Sequence, residues 1–111
     1  MTTQRIKPIY PPSLRAMTLH FPWAWLIATG WKEEEFRSKP VSYRGYFLVH
    51  AGQSKASDYI IQEVGIPRDH IVRGAIIGAA EIVASYEDSE GATHKLDNAI
   101  AFEAPIGPVS G

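Results

Sequence analysis

The sequence predicts an α+β domain in which five strands form a small barrel or curled sheet and two short helices cover its openings. Three observations carry this expectation. The chain has 111 residues, 45% apolar and 21% charged, with no internal repeat or low-complexity tract, which is the composition of one globular domain. Its segments read in the order β, α, β, β, α, β, β, so strands outnumber helices and carry most of the core. Glycine and proline separate the segments, as they do where a chain must turn sharply.

Residues 1–16 contain Pro8, Pro11 and Pro12, three cations and little periodicity, and read as an extended N-terminal arm preceding a domain over 17–111. Residues 16–20 alternate apolar and polar side chains, the period of a first strand. Pro22 suits the first turn of a helix, where its missing N–H is no loss. Trp23, Leu26 and Ile27 then give that helix an apolar stripe at i, i+3 and i+4, ending near Gly30.

The run from Gly30 to Arg37 follows, in which a helix stops, a strand begins, and Lys32, Glu35 and Arg37 stand at fixed offsets. Residues 46–51, rich in aromatic and β-branched side chains between Gly45 and Gly52, predict a strand buried on nearly both faces. Ser54 or Ser57 is expected to cap a second helix whose apolar face is Tyr59, Ile60, Ile61 and Val64, stopped at Gly65. Residues 72–86 form a long β-type stretch in which Gly74 and Gly78 predict a bulge or a close backbone approach. Residues 87–91 are turn-like, and residues 100–104 are the last strand before Pro105.

Charge is distributed unevenly although the net value is only −1. Residues 1–55 carry eight Lys/Arg against three Glu, whereas residues 74–111 carry Lys95 against six acids. Between Phe36 and Ser57 every charge is positive: Arg37, Lys39, Arg44 and Lys55. Such a stretch suits a phosphate-facing patch, and equally suits two halves of opposite sign facing each other across a barrel. There is no cysteine, which rules out disulfides and thiolate metal ligands. With no signal-peptide pattern and no apolar run near the ~18 residues that span a bilayer, a cytoplasmic protein without membrane contact is expected. His20, His50, His70 and His94 lack metal-ligand spacing, so neither a metal nor a cofactor is expected.

Five blocks in order, residues 22–27 (Pro-Trp-Ala-Trp-Leu-Ile), Gly30-x-Lys32-x-x-Glu35-x-Arg37, Tyr43-Arg44-Gly45, the strand end at Leu48-Val49-His50-Ala51, and residues 74–78 (Gly-Ala-Ile-Ile-Gly), resemble the ASCH domain, named for activating signal cointegrator homology. The resemblance spans roughly residues 17–107. It implies a barrel similar to the PUA domain, with a cleft beside the charged motif that binds RNA or a nucleotide-like ligand, in connection with translation or transcription regulation. One bacterial branch resembles an amidohydrolase that deacylates modified cytidine nucleosides, with the motif lysine as proposed nucleophile. There a threonine stands where this chain has Glu35, so the enzymatic role does not transfer intact and the chain leans away from catalysis. Members continue into a closing strand with a Gly-Leu-Trp-like sequence, whereas this chain stops at Gly111. That predicts an open barrel edge covered by the N-terminal arm, a second copy or a protein partner, and a protein-interaction module is a third reading.

The side chains of the motif support binding chemistry. Lys32 can hold phosphate as a point charge, or serve as nucleophile if its amine is deprotonated; Glu35, three residues on, favours the ammonium form. Glu35 can accept hydrogen bonds from a base or ribose, assist deacylation, or orient the two cations around it. Arg37 offers a planar fork for phosphate, and the two-residue spacing puts it on the same strand face as Glu35. Tyr43 and Arg44 combine an aromatic face with a cation, as base stacking with phosphate contact requires. Trp23 and Trp25 cannot share a helix face, so one is core and the other lines the cleft; Trp23 is taken as the ligand-binding member. His50 reads as a hydrogen-bonded structural residue and Tyr46 as strand packing, while Glu81, inside an apolar strand, is the remaining candidate acid.

Overall fold

The computed structural model describes residues 15–108. The arm expected over 1–16 lies outside these up to residue 14, while Arg15 and Ala16 belong to the first strand. In chain order the elements are β1 (Arg15–Leu19), α1 (Phe21–Ala28), β2 (Glu34–Arg37), β3 (Gly45–Ala51), α2 (Tyr59–Val64), a 3-10 turn over Arg68–His70, β4 (Ala75–Glu87) and β5 (Ala92–Ile106). This is the expected alternation, with the 3-10 turn added.

One five-stranded sheet has the order β1-β3-β4-β5-β2. β1 runs parallel to β3, and the other pairs are antiparallel. The sheet curls into a half-barrel: the Arg37 guanidinium on edge strand β2 donates to the Thr18 carbonyl on the opposite edge, β1, at 3.4 Å. Arg37 therefore spans the open side of the curl.

The core inside the curl contains Met17, Leu19, Phe47, Val49, Ile77, Ala80, Ile82 and Leu96, and α1 closes it with Phe21, Ala24, Ile27 and Ala28. The buried face of α1 is therefore not the Trp23, Leu26, Ile27 stripe. Of those only Ile27 is fully buried, while Trp23 and Leu26 are half-buried. The helix is apolar on nearly every side, so periodicity cannot choose its inner face. Small Ala24 and Ala28 win because they let the helix axis approach the sheet.

α1 can come so close because of Gly78 on β4. A Cβ there would sit 2.7 Å from the Ala28 Cβ and 2.3 Å from the Ile100 carbonyl oxygen. The β4–β5 register also shifts between Ile76 and Gly78. The bulge and the close approach expected at this glycine are both present.

α2 departs from expectation at both its cap and its face. Its N-cap is Asp58, with no side-chain capping bond, and not Ser54 or Ser57. The Ser57 hydroxyl is instead 2.7 Å from His20 Nδ1, and the Ser54 hydroxyl accepts from the Ala56 N–H. Ile60 is buried and Ile61 packs on the core, while Tyr59 and Val64 are exposed. A helix of six residues has too few turns to bury four apolar side chains on one side.

β5 is three times the length expected of the last strand, because residues 92–97 pair with β4 and, at one end, with β2. Asp88 shapes the β4–β5 turn: its Oδ1 accepts from the Glu90 and Gly91 N–H groups at 2.8 and 3.1 Å. Asp88→Ala should lower stability by about 1 kcal/mol, measured by urea unfolding, while Asp88→Asn keeps most of it because its amide oxygen accepts the same bonds.

Candidate functional site

The charged motif begins where α1 ends. Gly30 has φ +83°, a left-handed conformation that a side chain disfavours, and so turns the chain out of the helix. The Lys32 N–H then folds back onto the Leu26 carbonyl at 2.9 Å, and the Leu96 N–H donates to the Glu33 carbonyl at 2.8 Å, which sets β2 against β5. In β2 the side chains alternate: Glu34 and Phe36 are exposed, Glu35 and Arg37 half-buried. The shared face of Glu35 and Arg37 expected from their spacing is what the strand shows.

Lys32 Nζ pairs with Glu35 Oε1 at 3.2 Å and also donates to the Glu34 carbonyl. Lys32 lines a crevice of about 60 Å³ with Gly30, Glu33 and Asn98. Directly across the strands Glu34 pairs with Lys95. The hydrogen bond and charge of Lys95 hold the Glu34 carboxyl below its ordinary range, and the same contacts raise the Lys95 ammonium.

Arg37 faces a different and larger space. A cavity of about 540 Å³ lies between the two sheet edges, walled by Arg15, Met17 and Thr18 of β1, Arg37, the 40–43 segment, and the buried side chains of Phe47 and Ile82. Its charged lining is Arg15 and Arg37, with no carboxylate; Thr18, Ser42 and Tyr43 add hydroxyls. Arg37 donates through one terminal nitrogen to Thr18, while its Nε is buried without a partner. A buried unpaired N–H of a cation is costly, so this group has unused capacity for an acceptor.

Of the residues singled out in the sequence, Arg37 and Tyr43 share this cavity, and Lys32 and Glu35 form an ion pair outside its lining. The Tyr43 hydroxyl donates to the Tyr46 carbonyl at 2.5 Å, fixing the ring in the wall. Arg44 lies outside the lining. Its guanidinium donates to the Val41 and Tyr43 carbonyls at 3.1 and 3.0 Å, bracing the loop that carries Tyr43. Trp23 packs against the core and lines none of the described cavities, whereas Trp25 lines two of them. Glu81 accepts from the Asn98 amide at 2.8 Å. His50 is buried, with Nδ1 3.1 Å from the Thr18 hydroxyl, as a structural histidine should be.

Two contributors escape the sequence reading. Arg15 falls in the segment read as an arm, and it opens β1 by pairing with β3 opposite Phe47. His94 has no local signal at all. It is fully buried, and its Nε2 accepts from the Val41 N–H at 3.3 Å, 53 positions away. Nδ1 must then carry the proton and donate to the Ser85 hydroxyl at 2.5 Å. Burial first, then the nearby charges of Arg44 and Arg37, push the His94 imidazole below its ordinary range. A neutral His94 thus pins the loop that walls the cavity.

Among the described residues no group of three or more His, Asp or Glu side chains is arranged to hold a metal ion, and no helix is long and apolar enough to cross a membrane. Neither a protein-family model nor a curated protein matches the chain.

Proposed function

We propose that the chain is an RNA- or nucleotide-binding module of the ASCH kind, built on a PUA-like barrel, whose ligand enters the cavity between β1 and β2. The observation that carries this reading is the charged lining of that cavity, which is cationic throughout, Arg15 and Arg37, the latter with a buried Nε that has no partner. A phosphate is the acceptor that Arg37 suits best, because its planar donors match phosphate oxygens in pairs. Arg15 adds a second positive charge, while Thr18, Ser42 and Tyr43 offer hydroxyls to a ribose or base edge. The ordered ASCH-like blocks support the same assignment independently.

The motif residues then divide their labour. Glu35 neutralises Lys32 and leaves Arg37 as the free cation of β2. Deacylation of a cytidine derivative would need the Lys32 amine directed at substrate, but Nζ donates to two oxygens and lines a crevice of only about 60 Å³. Binding is therefore the better supported role.

Fluorescence anisotropy with single-stranded RNA, structured RNA and mononucleotides tests the proposal. Arg37→Ala should weaken binding roughly tenfold and reduce the dependence on log salt by about one phosphate contact. Arg37→Lys should recover only part of the loss, because a point charge cannot replace a paired contact. Absence of binding by every RNA and nucleotide at low salt would rule the function out.

A further inference from the structure

A second cavity, of about 270 Å³, lies where α1 meets the far half of β5 and the 3-10 turn. Its chemistry is the reverse of the first. Its charged lining is Asp69 and Glu103, with no Lys or Arg, and aromatic side chains accompany the carboxylates: Trp25 from α1 and Phe102 from β5. The His70 ring is tilted at 41° against Trp25 with centroids 6.1 Å apart, which extends the aromatic wall. Among the described residues neither the Asp69 nor the Glu103 carboxylate has a hydrogen-bond or ion-pair partner.

We infer that this cavity binds a small organic cation, an alkylated ammonium or a guanidinium, with its charge between Asp69 and Glu103 and its apolar body against Trp25 and Phe102. The negative face of an aromatic ring attracts a cation, most strongly for Trp, and a carboxylate at the rim adds Coulomb attraction. A bare metal ion suits the cavity poorly: Asp69, His70 and Glu103 all line it, yet they are not arranged as a metal-holding group. The apolar floor of Ala28, Val72 and Ile77 also favours a ligand that carries hydrocarbon with its charge. The volume suits one small molecule or one side chain. A free amine and an arginine or lysine side chain of a peptide present the same chemistry.

The inference is independent of the nucleotide reading, since the cavity shares no lining residue with the first. Isothermal titration of the intact chain with choline, ethylguanidinium, 3,3-dimethylbutanol as the neutral analogue of choline, and a short arginine-containing peptide provides the test. The cations should bind at low salt and the neutral analogue at least about fivefold more weakly. Asp69→Asn with Glu103→Gln, both on exposed side chains, should weaken cation binding roughly tenfold without changing the thermal midpoint by more than a few degrees. Tighter binding of the small cations than of the peptide identifies a free ligand, and the reverse order identifies a peptide side chain. No binding by any cation, equal binding by the neutral analogue, or cation binding unaffected by the double substitution would overturn the assignment.

Discussion

Gly78→Ala should destabilise the domain by about 3 kcal/mol, the upper end of what overpacking a well-packed core costs. The added methyl meets two neighbours that cannot move independently. One is the Ile100 carbonyl oxygen at 2.3 Å, part of the backbone of β5; the other is the Ala28 Cβ at 2.7 Å, on the last turn of α1. Relief requires either β5 to leave its register with β4 or α1 to lift from the sheet, and α1 carries the fully buried Phe21 and Ile27. For a domain of this size the loss should appear as a fall of roughly 12–24 °C in the thermal midpoint. Gly78→Ala with Ala28→Gly should recover part of it, because removing the Ala28 methyl relieves one of the two contacts. A midpoint unchanged in the single variant would mean that α1 does not pack on Gly78 as described.

His94→Ala should also cost about 3 kcal/mol, through a buried cavity and two groups left unpaired, the Val41 N–H and the Ser85 hydroxyl. The wild-type protein carries a matching pH signature. Because the folded imidazole is held below its ordinary range, chiefly by burial, the unfolded chain takes up a proton near pH 6.5 that the folded chain refuses. The His94 contribution is therefore complete above pH 6.5. It falls as the pH drops below 6.5, by at most about 1.4 kcal/mol per pH unit for one proton, until the folded pKa is reached. Urea unfolding at a series of pH values should show this slope in the wild type and a shallower one in His94→Gln, which removes the titrating group. The same slope in both proteins would contradict a neutral, buried His94.

The links between these residues explain what the sequence could and could not disclose. Period-two alternation suffices to place Glu35 and Arg37 on one face of β2, since a strand has only two faces. A three-residue spacing likewise brings Lys32 within reach of Glu35. Aromatic and β-branched runs bounded by glycine mark β3 and β4, and Gly78 stands out as a glycine inside an apolar strand. The stretch over residues 92–99 carries no such pattern, and the sequence assigns it to no element. It is a strand because it is paired with β4 and, over its first four residues, also with β2.

Long-range partnerships were equally hidden. Nothing near His94 in the chain announces Val41, and nothing near Arg37 announces the Thr18 carbonyl. The curl of the sheet creates both contacts. The same curl divides the expected cleft, leaving Lys32 in a small crevice and Arg37 in the larger cavity, and it brings in Arg15, which no local motif selects. The curl also leaves two cavities of opposite lining, Arg15 with Arg37 in one and Asp69 with Glu103 in the other.

The most direct test of the central claim, that Arg37 receives a phosphate in the cavity between β1 and β2, is an NMR titration of ¹⁵N-labelled protein with a nucleoside monophosphate. Shifts of the Arg37 Nε–H and of the Arg15, Ser42 and Tyr43 amides, smaller with the unphosphorylated nucleoside and lost in Arg37→Ala, are the result expected. Shifts centred instead on Lys32, Gly30 and Asn98, or an Arg37 Nε–H unmoved at saturation, would contradict it.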